Sequence, residues 1–185
     1  MLTRSNGAKI IAFAVLIALG IWWLRSYRIT DYRGDGRITD SGTWNYPRYR
    51  VELSQIPLFE SGIHQFRLAG LPSDQMTLEL VVVGKTGKDR EELTKLRTRI
   101  DASLIDDQGH TVCNASGIPS DGIRENAWIL RSTDVSAAFY NQSCVDVVIY
   151  TFRSYNLEVK LSEIDAVSPR AYLLPIVSGG GNELP

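Results

Sequence analysis

Residues 155–161, Tyr-Asn-Leu-Glu-Val-Lys-Leu, place Tyr155, Leu157, Val159 and Leu161 on one side and Asn156, Glu158 and Lys160 on the other. A strict period of two over seven residues is the signature of a half-buried β-strand, with one face on a core and one in water. The same pattern recurs on both sides of this stretch. Upstream, Tyr49, Val51 and Leu53 alternate with Arg48, Arg50 and Glu52, and His64 to Leu68 puts Phe66 and Leu68 on one face. Met76 to Val83 alternates and then becomes continuously apolar, as a central strand does. Thr98, Ile100, Ala102 and Leu104 alternate with Arg99, Asp101 and Ser103. Asp106-Asp107-Gln108-Gly109 then predicts a hairpin turn, with His110 to Ala115 as the return strand. Ala127 to Arg131, Cys144 to Phe152 and Ala171 to Val177 complete the set. In Cys144 to Phe152, Val145, Val147, Ile149 and Thr151 alternate with Asp146, Val148 and Tyr150.

Gly70-Leu71-Pro72-Ser73-Asp74 supplies turn chemistry between two of these runs. The only soluble stretch rich in helix formers is Lys88 to Leu96, where Leu93 and Leu96 lie three apart. About eight or nine short strands with almost no helix predict an all-β antiparallel sandwich, jelly-roll or Ig/C2-like, with an open barrel as the alternative. The expected sandwich runs from residue 48 to 178, and the remainder, 179–185, is expected as a flexible tail.

Ahead of the strands lies a different chemistry. Ile10 to Leu24, IIAFAVLIALGIWWL, contains fifteen residues without a charge. As a helix it reaches about 22 Å, short of a hydrocarbon core of about 30 Å, and Lys9 and Arg25 extend it by snorkelling. Trp22, Trp23 and Tyr27 fall where an interfacial aromatic belt belongs. The expectation is a short tail (1–9), a transmembrane signal anchor (10–24) and a juxtamembrane linker (25–47) that ends in a first edge strand. A cleavable leader ending at Ala18-Leu19-Gly20 and a buried soluble helix are the competing readings. No cysteine follows the apolar run, so it carries no lipoprotein site.

Arg25, Arg28, Arg33 and Arg37 in the linker outnumber Arg4 and Lys9 in the tail, which by the positive-inside rule favours a cytoplasmic domain. A short basic tail before an apolar run is instead the shape of an export signal, and two cysteines suit an oxidising compartment. The expectation is an extracytoplasmic domain, periplasmic or extracellular, on a single-pass cell-membrane protein. The linker arginines would hold its base near anionic lipid.

Composition is ordinary for a globular domain, with 44% hydrophobic and 22% charged residues, and the net charge of −1 leaves no nucleic-acid footprint. Cys113 and Cys144 predict a disulfide closing a loop of about thirty residues if their Cα atoms come within roughly 7 Å.

Motifs that evoke chemistry are incomplete. Gly84-Lys85-Thr86 follows a strand, but Glu79 stands where a phosphate-binding loop needs glycine. Asp31 to Thr39 resembles the start of a calcium loop, yet Arg33 and Gly42 occupy ligand positions three and twelve. Arg33-Gly34-Asp35 matches an adhesion tripeptide and is read as a solvated turn. Asn114-Ala-Ser116 and Asn141-Gln-Ser143 fit the N-glycosylation pattern. His64 and His110 are the only histidines, and neither has a partner at ligand spacing. Asp106, Asp107 and Asp121, with Glu125 and Asp134, form a weak candidate calcium cluster in loops. Trp44, Tyr46 and Trp128 are the candidates for stacking on carbohydrate, although core filling is the favoured use of such large aromatics.

With no catalytic or cofactor constellation, the expected function is non-enzymatic. The sandwich binds another envelope protein or helps assemble a complex, held to the bilayer by Ile10 to Leu24. A carbohydrate-binding module is the alternative, and a hydrolase or calcium-dependent domain stands behind both.

Overall fold

Two antiparallel sheets enclose the apolar side chains of the alternating runs. A computed structural model describes residues 9, 11, 13–20, 32–40, 48–71, 75–83, 93–119, 128–132, 137–150, 153–164 and 171–180. Twelve strand segments lie among the described residues. They are β1 Arg37–Asp40, β2 Tyr49–Glu52, β3 Ile56–Pro57, β4 Gly62–Ala69, β5 Gln75–Val83 and β6 Arg99–Asp106. β7 Thr111–Gly117, β8 Ile129–Ser132, β9 Ala137–Tyr140, β10 Val147–Val148, β11 Ser154–Ser162 and β12 Tyr172–Gly179 follow.

The larger sheet has the order β1-β2-β12-β5-β9-β8, with β3 added on β12 and β10 on β5, and the smaller has the order β4-β11-β6-β7. Residues 155–161 lie in the inner strand β11, where Leu157 pairs with Phe66 on one side and Leu104 on the other. Its burial alternates residue by residue, as the sequence predicts. Both sheets contribute to one core, in which Leu68, Leu104 and Leu157 of the smaller sheet join Leu78, Leu80, Phe139 and Leu173 of the larger. Each such side chain contributes about 1.5 to 3 kcal/mol by leaving water. The fold is all-β and sandwich-like.

Several expectations need correction. Cys144 to Phe152 is not one strand. Asn141 caps a 3-10 turn over Gln142–Cys144, its side chain accepting the Ser143 N–H. Asp146 then adopts a left-handed φ of 52°, and only Val147–Val148 pair with β5. The alternation survives as exposure all the same, since Asp146, Val148 and Tyr150 face solvent. Conversely, Ala137–Tyr140 forms β9, which the reading from alternation missed because Ala137, Ala138 and Phe139 are all buried. Of the expected helix at 88–96, only Leu93 and Thr94 are helical among the described residues, and Leu93 and Leu96 enter the core.

Residues 32–40 fall in the stretch expected as a linker ending in a first edge strand, and they lie against the folded body with β1 as an edge strand of the larger sheet. Arg33 and Asp35 donate their N–H groups to Ala69 O (3.0 Å) and Arg67 O (2.6 Å), lining the open edge of β4. Gly36 reverses the chain at φ +80°, where an added Cβ would collide with the Glu52 carbonyl. β1 then runs along β2, pairing Arg37 with Glu52 and Asp40 with Tyr49. One strap thus covers the edges of both sheets. At the other terminus β12 extends to Gly179, one residue into the expected tail.

Residues 9, 11 and 13–20 are helical. Ile11, Phe13, Leu16 and Leu19 are more than half exposed, and Val15 and Ile17 stand at 51% and 46%. Among the described residues no helix is long and apolar enough to cross a membrane.

Candidate functional site

The richest cluster of polar and exposed aromatic groups lies at one end of the sandwich, around the β6–β7 hairpin. Asp106 closes that turn. Its N–H donates to His110 O at 2.9 Å, and Gly109 donates back to Asp106 O at 3.1 Å. Its carboxylate accepts the N–H groups of Gln108 (2.9 Å) and His110 (2.8 Å), which is why an Asp at this position sets the turn. The second oxygen lies 3.3 Å from both His110 Nδ1 and Arg153 Nη1. Burial alone would raise the Asp106 pKa. The two backbone donors and the His110 ring together outweigh that and hold it below the usual carboxylate range.

Arg153 extends the cluster. It reaches Gln108 Oε1 at 3.3 Å and Asp107 at 4.0 Å, and its guanidinium carbon stands 4.9 Å from the Tyr150 ring centroid. The Tyr150 main chain is fixed from behind. Tyr150 donates its N–H to the Tyr155 hydroxyl at 2.7 Å, and that hydroxyl donates to Tyr150 O at 3.1 Å. A tyrosine at a strand start whose hydroxyl bonds backbone a few residues upstream is the corner device of β-sandwiches. Burial pushes the Tyr155 phenol pKa up. Tyr150 itself is 66% exposed and Val148 67%.

A second polar cluster lies on the outer face of the larger sheet. The Tyr140 hydroxyl donates to Glu79 Oε1 at 2.7 Å, Arg50 stands 3.9 Å from the other Glu79 oxygen, and Arg131 lies 5.3 Å from the Tyr140 ring centroid. Burial first, and then the Glu79 carboxylate, push the Tyr140 pKa up to about 12. On the smaller sheet, Arg99 bonds Asp101 (3.1 Å) and Ser116 (2.7 Å), linking β6 to β7.

The residues singled out from sequence fare differently. Trp128 is fully buried and donates its indole N–H to Ile100 O at 2.6 Å, so of its two uses it serves the favoured one, core filling, and is not open to a stacked ligand. Trp44 and Tyr46 lie outside the described residues, as do Asp121, Glu125, Asp134 and Gly84-Lys85-Thr86. Asp106 and Asp107 share the hairpin, with the Asp106 carboxylate occupied as above. Among the described residues no three His, Cys, Asp or Glu side chains are placed to hold a metal. In Arg33-Gly34-Asp35, the Asp35 carboxylate accepts the Arg67 N–H at 2.6 Å, which ties the tripeptide to β4. Asn141 is buried in its cap, whereas Asn114 is exposed on β7. His64 is half-buried on β4 and His110 is 73% exposed.

Cys113 and Cys144 form a disulfide, with Cα atoms 5.4 Å apart and a sequence separation of 31. It joins β7 of the smaller sheet to the turn that leaves β9 of the larger, and both cysteines are buried. Val148, Tyr150 and Arg153 were not singled out from the sequence. The usable signal was the exposed set of the alternation, Asp146, Val148 and Tyr150, in which two of three members are apolar or aromatic. Set against protein-family models and curated proteins, the chain matches none.

Proposed function

We propose that the chain is a single-pass membrane protein. Its apolar stretch at 10–24 anchors it in the bilayer and holds the sandwich on the extracytoplasmic side, where it binds another envelope protein or helps assemble a complex. The observation that carries this reading is the apolar helix. Its large side chains, from Ile11 to Leu19, are left uncovered by the rest of the protein, and a helix apolar on every face calls for lipid around it. The described helical residues stop at Gly20, inside the proposed span. The buried Cys113–Cys144 bridge supports an oxidising compartment. Within sandwich architectures, the Tyr155 corner favours the Ig-like side of the jelly-roll or Ig/C2-like expectation.

Alkaline carbonate extraction of membranes holding the full-length protein tests the anchor. The protein is expected in the pellet with its original N-terminus, and release into the supernatant or a terminus at Ile21 overturns the reading. A C-terminal reporter active only in the cytoplasm is expected to stay silent.

A further inference from the structure

The point at which the chain enters the folded body fixes which end of the sandwich an anchor would face. Arg33 bonds Ala69 at the C-terminal end of β4. Ala69 pairs with Ser154, and Gly70 donates its N–H to Arg153 O at 3.4 Å. Tyr155 pairs with Asp106, which opens the hairpin turn, and Val148 pairs with Gln75, the first residue of β5. The incoming chain, the 106–110 turn, Arg153, Val148 and Tyr150 therefore share one end.

Eight peptide steps separate Leu24 from Tyr32, and a chain of that length spans at most about 28 Å. An anchor at 10–24 thus keeps this end of the sandwich within that distance of the lipid. The chemistry of the end fits a headgroup layer. Tyr150 offers an apolar ring with a polar tip, Val148 adds an aliphatic surface two residues away, and Arg153 places a cation over the ring. The Tyr155 hydroxyl holds the Tyr150 backbone in place, so the ring projects from a preorganised support. Asp107 and Asp146 are exposed at the same end, which favours a contact made by apolar partition over one that needs anionic lipid.

We infer that Val148 and Tyr150 enter the headgroup layer of the same bilayer and seat the sandwich upright on it. This inference rests on the anchor reading above. The only two cysteines are joined in the disulfide, so one introduced cysteine takes a fluorescent label uniquely. The full chain is placed in phosphatidylcholine nanodiscs containing nitroxide-headgroup lipid, with the label at Gln108→Cys on this end or at Glu60→Cys on the opposite end. Strong quenching is expected at 108 and little at 60. Val148→Ser with Tyr150→Ser is expected to reduce quenching at 108 by about fivefold. Both side chains are exposed, so the core is left intact, and an unchanged circular dichroism spectrum checks this. Unchanged quenching in the double variant overturns the inference. Carbonate extraction of the same preparations separates the two ideas. A protein that leaves the membrane overturns the anchor and the seating together, whereas one that stays but ignores the double substitution overturns the seating alone.

Discussion

The Trp128 indole N–H donates to the Ile100 carbonyl at 2.6 Å inside the core, tying the residue just ahead of β8 in the larger sheet to β6 in the smaller. The ring fills volume and satisfies a buried acceptor at once. Trp128→Phe keeps most of the volume and removes the donor, at an expected cost of about 1 to 3 kcal/mol. Trp128→Ala opens a cavity as well and is expected to cost about 3 to 5 kcal/mol. Urea unfolding followed by circular dichroism checks both, and a Trp128→Phe midpoint equal to that of the natural protein would remove the bond from the account.

The Cys113–Cys144 bridge closes a loop with a sequence separation of 31. In the chain-entropy model such a loop is worth about 3 to 4 kcal/mol. The double variant Cys113→Ala, Cys144→Ala is expected to unfold at correspondingly lower urea. The intact protein is expected to show no free thiol by mass spectrometry until it is reduced and denatured.

Asp106 carries a pH signature. Its folded pKa lies below its unfolded value, so its ionised form stabilises the fold at pH values above the unfolded pKa. That contribution is lost as pH falls through the lowered folded value. Asp106→Asn keeps an oxygen for the Gln108 and His110 N–H groups but cannot titrate. Stability measured from about pH 5 down to pH 2 is expected to fall less steeply in the variant than in the natural protein.

Tyr140 gives the opposite sign. Its pKa is raised from 10.0 to about 12, so the folded state holds the phenolic proton longer than the unfolded chain does. The resulting stabilisation is complete below pH 10 and disappears as pH rises through about 12. Tyr140→Phe is expected to flatten the loss of stability over that interval. Glu79→Gln is expected to move the absorbance-detected titration of Tyr140 downward without returning it to 10.0, since burial is the larger cause.

Gly34 lies against β4, where an added Cβ would stand 2.5 Å from the Arg67 carbonyl oxygen. Gly34→Ala is therefore expected to push the strap off the β4 edge and cost about 1 to 3 kcal/mol. Amide exchange at Asp35 and Arg67, whose N–H groups carry the two 2.6 Å bonds, is expected to accelerate.

What the sequence disclosed divides by the range of the interaction. Tyr155, Leu157, Val159 and Leu161 declare β11 through neighbours two residues away, and Asp106 declares its turn through donors two and four residues on. Such local causes are visible in a linear string. Asp35 meeting Arg67 across 32 residues, or Trp128 meeting Ile100 across 28, leaves no local trace. The size of the Trp128 ring favours burial, but its acceptor in the core is not legible from the string. β9 escaped because three consecutive buried residues hide the alternation that marks a strand with one wet face. Cys144 to Phe152 misled for the converse reason, since its alternating exposure comes from a connection between sheets.

The strap at residues 32–40 also decides how tension would travel. A pull on the chain ahead of Tyr32 runs along β4 and meets the Arg33–Ala69 and Asp35–Arg67 bonds lengthwise, before reaching the Gly36 reversal and the β1–β2 ladder behind it. Bonds loaded in shear must yield together, whereas bonds at a peeled edge break singly, in sequence. A body pulled through this strap would resist unravelling far better than one pulled through a free edge strand.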